Sequence, residues 1–130
     1  MIISIDNWKG VFSNEENFEL TTIDFLLHCI MELNGKNKTS VALTIDEETY
    51  LIVGGGNECR YSVVGEKKGE IYNLININNI NKEGYIQIVT GGQLGDFEIK
   101  YCVDKEMAMQ AAIYFYENKD FDKTLEWEVL

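Results

Sequence analysis

Basic side chains are scarce in this sequence. Lysine and arginine together number 11 against 22 aspartates and glutamates, giving a formal net charge of −11 and a pI near 4.4. That deficit argues against direct contact with a nucleic-acid backbone or an anionic membrane, and leaves a basic partner as the electrostatic match. Histidine occurs once, as His28. A nucleophilic relay needs such a histidine beside a nucleophile and oriented by an acid. The neighbouring Cys29 points about 100° away if both residues lie on one helix. The three cysteines, Cys29, Cys59 and Cys102, are odd in number and widely spaced in apolar surroundings. Buried free thiols of a reducing compartment are expected. No Cys/His pairs stand at zinc-ligand spacing, so no metal site is expected.

Long apolar runs are also missing. None approaches the roughly 20 residues that span a bilayer. The opening MIISID lacks the basic start and small-residue cleavage site of a signal peptide. Proline is absent and Arg60 is the one arginine, whereas Asn and Lys are frequent, the composition of an AT-rich bacterial genome. A bacterial, cytoplasmic protein is the expectation.

What is present is enough for one domain, residues 1–130. With 45% hydrophobic residues, such a chain buries about two-thirds of its unfolded surface. Met1–Ile5 reads as an edge strand, and Asp6–Leu20 has no firm assignment. Thr21 and Thr22 are candidate caps for a helix whose apolar face is Ile23, Leu26, Leu27, Ile30 and Leu33, ended by Asn34-Gly35. From Ser40 the period becomes two. Val41, Leu43 and Ile45 form one arm of a hairpin, Asp46–Thr49 its acidic turn, and Tyr50–Val53 the returning arm.

Further strands are predicted at Arg60–Val64 and Glu70–Ile75, joined by a charged turn at Gly65–Gly69. Asn76–Gly84 reads as a loop, Tyr85–Thr90 as a strand, Gly91–Asp96 as a glycine-bearing loop and Phe97–Val103 as a strand. Asp104 then caps a helix with Met107, Ala108, Ala111, Ala112 and Phe115 on one face. A polar connection from Asn118 to Lys123 leads to a closing strand, Thr124–Val129, with Trp127 inward. Segregated strands and helices predict an α+β fold: a mostly antiparallel sheet of about six or seven strands, with an N-terminal and a C-terminal helix packed against it.

Motifs that would carry chemistry are weak. Gly54-Gly55-Gly56-Asn57 is followed by Glu58-Cys59-Arg60 and a strand, without the Lys-Ser/Thr and helix of a phosphate loop. It reads as a hairpin loop with positive φ angles. Nothing singles out one carboxylate pair for glycosidase-like acid–base work. Tyr50, Tyr61, Tyr72 and Tyr85 alternate with aliphatics, the pattern of sheet packing. They lack the interleaved basic residues of a nucleic-acid platform. No catalytic, cofactor-binding or metal-binding residue emerges.

Three stretches, LNGKNKTSVAL at Leu33–Leu43, YLIVGGGNECRYSVV at Tyr50–Val64 and the capped Ala-rich helix with its Trp strand at Asp104–Trp127, fall in an order that resembles the first α+β family of bacterial polymorphic-toxin immunity proteins. The three cover over half the chain. The resemblance implies a non-enzymatic antidote without a cofactor. Such a protein stays in the producer's cytosol, binds the C-terminal catalytic domain of a cognate secreted toxin, a nucleic-acid deaminase or nuclease, and blocks its active site. The sequence adds candidate contacts for a basic toxin domain: Asp46, Glu47 and Glu48 on a hairpin tip; Asp96 and Glu98 beside the second glycine loop; and Glu117, Asp120 and Asp122 after the last helix. Tyr50 and Trp8 are candidate aromatic anchors, Trp127 a core residue, and a monomer is expected. Two other readings stay open. One is a small ligand-binding module or enzyme with a pocket near Gly54–Asn57 and Gly91–Gln93. The other is an acidic nucleic-acid mimic that inhibits another enzyme.

Overall fold

Alternation of side chains along each strand decides the architecture. In the computed structural model, which describes residues 1–130, β1 (Ile2–Ile5), β4 (Glu16–Glu19), β5 (Ser40–Asp46), β6 (Thr49–Gly55), β7 (Tyr61–Lys67), β8 (Glu70–Ile75) and β11 (Glu126–Val129) form one seven-stranded sheet in the order β11-β8-β7-β6-β5-β1-β4. Every pairing in it is antiparallel. The helices α1 (Ile23–Met31) and α2 (Lys105–Asn118) complete the α+β fold. Two short hairpins stand apart from the main sheet: β2 (Trp8–Lys9) with β3 (Phe12–Ser13), and β9 (Tyr85–Thr90) with β10 (Gln93–Glu98).

Because neighbouring residues point to opposite faces of a strand, the register defines two surfaces. Ile3 pairs with Leu43, Leu43 with Leu51 and Leu51 with Gly65; one step along, Val41 pairs with Val53 and Val53 with Val63. These aliphatics, with Leu74, are at most 1% exposed and share one core with both helices. Each contributes roughly 1.5–3 kcal/mol by leaving water.

Both helices start as the sequence predicts. The Thr22 hydroxyl accepts from Phe25 N at 3.1 Å, and Asp104 Oδ1 accepts from Met107 N at 2.8 Å. In α1 the buried face is Leu26, Cys29 and Ile30. In α2 it is Ala108, Ala111, Ala112 and Phe115. The alanines let the helix axis lie close to β6 and β7, and Phe115 fills the remaining depth. Lys119, at φ 55°, ends α2 in the left-handed region, and the chain turns back toward β11.

Several expectations need correcting. The first strand is interior, because β4, from the unassigned stretch, pairs outside it and takes the edge. The edge strands β4 and β11 carry Glu16 and Glu19, and Glu126 and Glu128, charges that oppose further strand pairing.

Gly65 is not in a turn: β7 continues to Lys67, and only Lys68 (φ 53°) and Gly69 (φ 80°) make the reversal. A side chain at Gly65 would overlap the Phe121 ring. Its absence opens a slot in the sheet for Phe121, which stacks on Tyr72 at 4.3 Å. Gly65→Ala is therefore expected to destabilise the fold by about 1–3 kcal/mol, measurable by urea unfolding.

Gly91–Asp96 is not a loop either. Gly91 and Gly92, at φ 61° and 77°, form a two-residue reversal, and strand pairing runs from Gln93 to Glu98. Beyond it Ile99–Tyr101 is a single 3₁₀ turn rather than part of a strand, and Val103 makes an isolated bridge to Tyr61. Cys29 and Cys102 are buried, but Cys59 is exposed, on a left-handed backbone at φ 58°. Burial pushes the Cys29 thiol up, reinforced by Glu32 and opposed by Lys38. Burial likewise raises Cys102, with Arg60 opposing. A thiol reagent on the native protein should therefore label Cys59 rapidly, and the other two only on denaturation.

Candidate protein-interaction site

The helices cover one face of the main sheet, and the opposite face is largely open. Along the register its first row is Ile2, Thr44, Tyr50, Glu66 and Ile71, with Glu19 beyond Ile2. The second is Ser4, Ala42, Ile52, Val64, Asn73 and Glu128. Ile2 is exposed, and Ala42, Tyr50, Ile52, Val64 and Ile71 are half-buried, whereas their helix-side neighbours are sealed. Aliphatics thus occupy the middle of this surface, and the acids Glu19, Glu66 and Glu128 stand among and beside them. Neither row contains a lysine or arginine.

The polar groups are positioned by hydrogen bonds. The Tyr50 hydroxyl donates to Glu66 Oε1 at 3.1 Å. Burial, followed by this contact, raises the phenol above its ordinary pKa. The Tyr101 hydroxyl donates to Glu128 Oε2, and Lys100 Nζ lies 3.5 Å from Glu128 Oε1. A third row is covered: a side chain at Gly54 would overlap Thr90 on the β9–β10 hairpin and reach Ser62 Oγ. The hairpin therefore walls one end of the open face.

The predicted contact residues fall in three places. Tyr50 lies on the open face, and Asp46, Glu47 and Glu48 form the tip between β5 and β6, next along the hairpin from the Thr44–Tyr50 pair. The Asp46 carboxylate accepts from Glu48 N at 2.9 Å and shapes that tip. Asp96 lies on strand β10, not in a loop, together with Glu98, and both are exposed. Glu117 and Asp120 lie with the helical layer, away from the open face.

Asp122 is a correction: it is 7% exposed and holds the helix-to-strand connection together. Gln110 Nε2 donates to its Oδ2 at 3.1 Å, and Thr124 N and Oγ1 donate to its Oδ1 at 2.9 and 2.7 Å. Burial alone would raise its pKa, but the bonds from Thr124 and Gln110 win and hold it below the ordinary carboxylate value. Asp120 is also lowered: burial opposes ionisation, but the Phe121 amide and Lys67, 3.2 Å away, outweigh it. A depressed folded-state pKa contributes stability that is complete above the unfolded value, roughly 3.9. It is lost as pH falls through the folded value. Asp122→Asn should therefore flatten the acid limb of the stability–pH curve, read by thermal melts from pH 5 to 2.

Trp127 is half-buried rather than sealed. It packs against the core, 5.0 Å from Phe121, and its indole N–H donates to the Asp122 carbonyl at 2.8 Å. Trp8 is half-buried too, with its ring over Gly92, where any side chain would overlap it. The triple-glycine stretch is closely packed: side chains at Gly55 and Gly56 would collide with Arg60 O and with the Leu33 backbone.

The stretch that the sequence reading left unassigned contributes the other feature of this end of the molecule. Asp6, 8% exposed, accepts from Thr39 N at 2.7 Å, Ser40 N at 3.0 Å, Trp8 Nε1 at 2.8 Å and the Thr39 hydroxyl. Thr39 Oγ1 in turn accepts from Gly92 N at 2.9 Å. One buried carboxylate thereby ties both accessory hairpins to the start of β5. The signal in the sequence was slight: an aspartate just after an apolar strand, next to Asn-Trp.

His28 is exposed on α1, with Nε2 2.9 Å from Glu32 Oε1, its i+4 neighbour. No group of three or more His, Cys, Asp or Glu side chains is placed to hold a metal ion. No helix is long and apolar enough to cross a membrane. The fold and surface define a two-layer α+β protein with one acid-bearing sheet face left open. No family model matches the chain, and no curated protein matches it.

Proposed function

We propose that this protein is an immunity protein. In this reading it binds the C-terminal domain of a cognate secreted bacterial toxin, a nucleic-acid deaminase or nuclease, and occludes that domain's active site. The observation that carries the reading is the open sheet face of a chain with net charge −11, an aliphatic centre with Glu66 unpaired by any cation and Glu19 and Glu128 at the sides paired with the N-terminal ammonium and Lys100. A toxin that acts on nucleic acid presents a basic cleft, and an acidic surface competes for it. Apolar residues at the centre supply the desolvated contacts that dominate binding energy, while the charge speeds capture. The sequence resemblance points the same way, and an inhibitor requires no catalytic constellation.

Capture with the tagged chain in the organism that encodes it tests this. One basic protein recovered through its C-terminal domain, and inactivated by the purified chain, is the expected result; a partner that stays active would overturn the reading. Replacing Asp46, Glu47 and Glu48 together by Lys should slow association about 10-fold or more at low salt and flatten its salt dependence. Stopped-flow mixing at two ionic strengths reads both, and unchanged kinetics would remove that tip from the interface.

A second reading has one specific observation in its favour. A cleft of about 400 Å³ beside the β7–β8 turn is lined by Lys67, Lys68, Lys123, Glu70, Asp120, Tyr72, Phe121 and Trp127, the size of a small-ligand site. A small molecule co-purifying with the chain would favour a binding module.

A further inference from the structure

The most exposed apolar side chains with defined secondary structure around them lie on a hairpin that the core does not need. Val11 is 83% and Phe12 78% exposed, at the end of the β2–β3 hairpin, where Gly10 at φ 66° makes the turn. A hairpin this short has little stability of its own. Its base is nevertheless anchored. Trp8 N donates to Asn37 O at 2.7 Å and Asn14 N to Asn7 O at 2.9 Å. The Trp8 indole donates to the buried Asp6 carboxylate, and its ring is seated on Gly92.

The hairpin also borders the open face. A depression of about 240 Å³ runs from Trp8 and Ser13 to Ser4 and Ala42, which belong to the second open row. Hairpin and sheet face thus form one continuous surface. A rigid base and an apolar tip fit an anchor, because ordering costs are met before binding and an aromatic inserted into a pocket is the usual source of affinity.

We propose that this hairpin is the anchor of the interface, with Phe12 and Val11 entering an apolar pocket of the basic protein that lies on the open sheet face. The proposal rests on the immunity reading and specifies its geometry. The occupant is a basic protein because the chain carries a net charge of −11: Lys9 stands across from Phe12, Lys100 pairs with Glu128 and the N-terminal ammonium with Glu19, but Glu66 on the sheet face and Glu15 in the depression are left without an ion-pair partner.

The test places a photo-reactive amino acid at Phe12 or, as control, at Met31, an equally apolar residue on α1 that is 63% exposed. Cross-linking is carried out in the producing organism. The Kd of the captured basic partner is then measured for wild type, Phe12→Ala and Met31→Ala. The expected result is an adduct with that partner from position 12 and not from 31, and binding weakened about 30-fold or more by Phe12→Ala only. If wild type captures the partner but position 12 gives no adduct, or Phe12→Ala binds as wild type, the anchor is overturned while the immunity reading stands. An adduct of position 12 with a second copy of this chain would also overturn it. Failure of wild type to capture any basic protein would remove both.

Discussion

Phe115→Ala should lower the unfolding free energy by about 3–5 kcal/mol. Phe115 is fully buried and is the largest such side chain in the molecule. It stands on a helix face whose other members are Ala108, Ala111 and Ala112, so no neighbour on that face is long enough to close the cavity. Phe121, 5.8 Å away ring to ring, is held by Tyr72 on its other side and by the slot above Gly65, which limits its collapse into the space. Against a typical total of about 5–15 kcal/mol, that loss would leave a marginal fold. Urea unfolding monitored by tryptophan fluorescence measures it, and a loss below about 1 kcal/mol would mean that the layer repacks.

Asp6→Ala should cost roughly 3 kcal/mol, through a different mechanism. The substitution removes the acceptor for Thr39 N, the Thr39 hydroxyl, Ser40 N and Trp8 Nε1 together. Thr39 is fully buried, so its amide is left without a partner or water. Asp6→Asn keeps one oxygen and should fall between. The two accessory hairpins should loosen before the sheet does. Amide exchange at Trp8 and Gly92 should accelerate more than at Val53, and uniform acceleration would show that Asp6 serves the whole fold rather than this corner.

Much of the secondary structure was legible because it is locally encoded. Thr22 and Asp104 cap helices through contacts three residues away. Glu70–Ile75 and Tyr85–Thr90 are strands with the bounds their composition predicts, and the apolar face of α2 follows from spacing alone; that of α1 follows in part, since Leu26 and Ile30 are sealed but Cys29 joins them, Ile23 and Leu27 are only half-buried, and the helix ends at Met31, before Leu33 and Asn34-Gly35. Errors gathered where a residue's role depends on something distant. Gly65 looks like a turn residue until Phe121 is seen occupying its missing side chain. Asp122 looks like a solvated acid until Gln110 and Thr124 close over it. Asp96 lies on a strand, with Glu98, because Gly91-Gly92 is a sufficient reversal.

The candidate site was legible in part. Tyr50 and the Asp46–Glu48 tip are neighbours on one hairpin, but the acids of the last helix and its connection do not join them. Glu66, Glu128, Val64 and Phe12 had no distinguishing local pattern. On its own, the sequence determined the α+β class, the charge, both helices and most of the strands, because caps, periodicity and composition act within a few residues. Only the tertiary structure decided which strand lies at the edge, which sheet face the helices cover and which acids reach solvent. Those outcomes depend on pairing and packing between residues tens of positions apart, where the same local pattern is compatible with either side of the sheet.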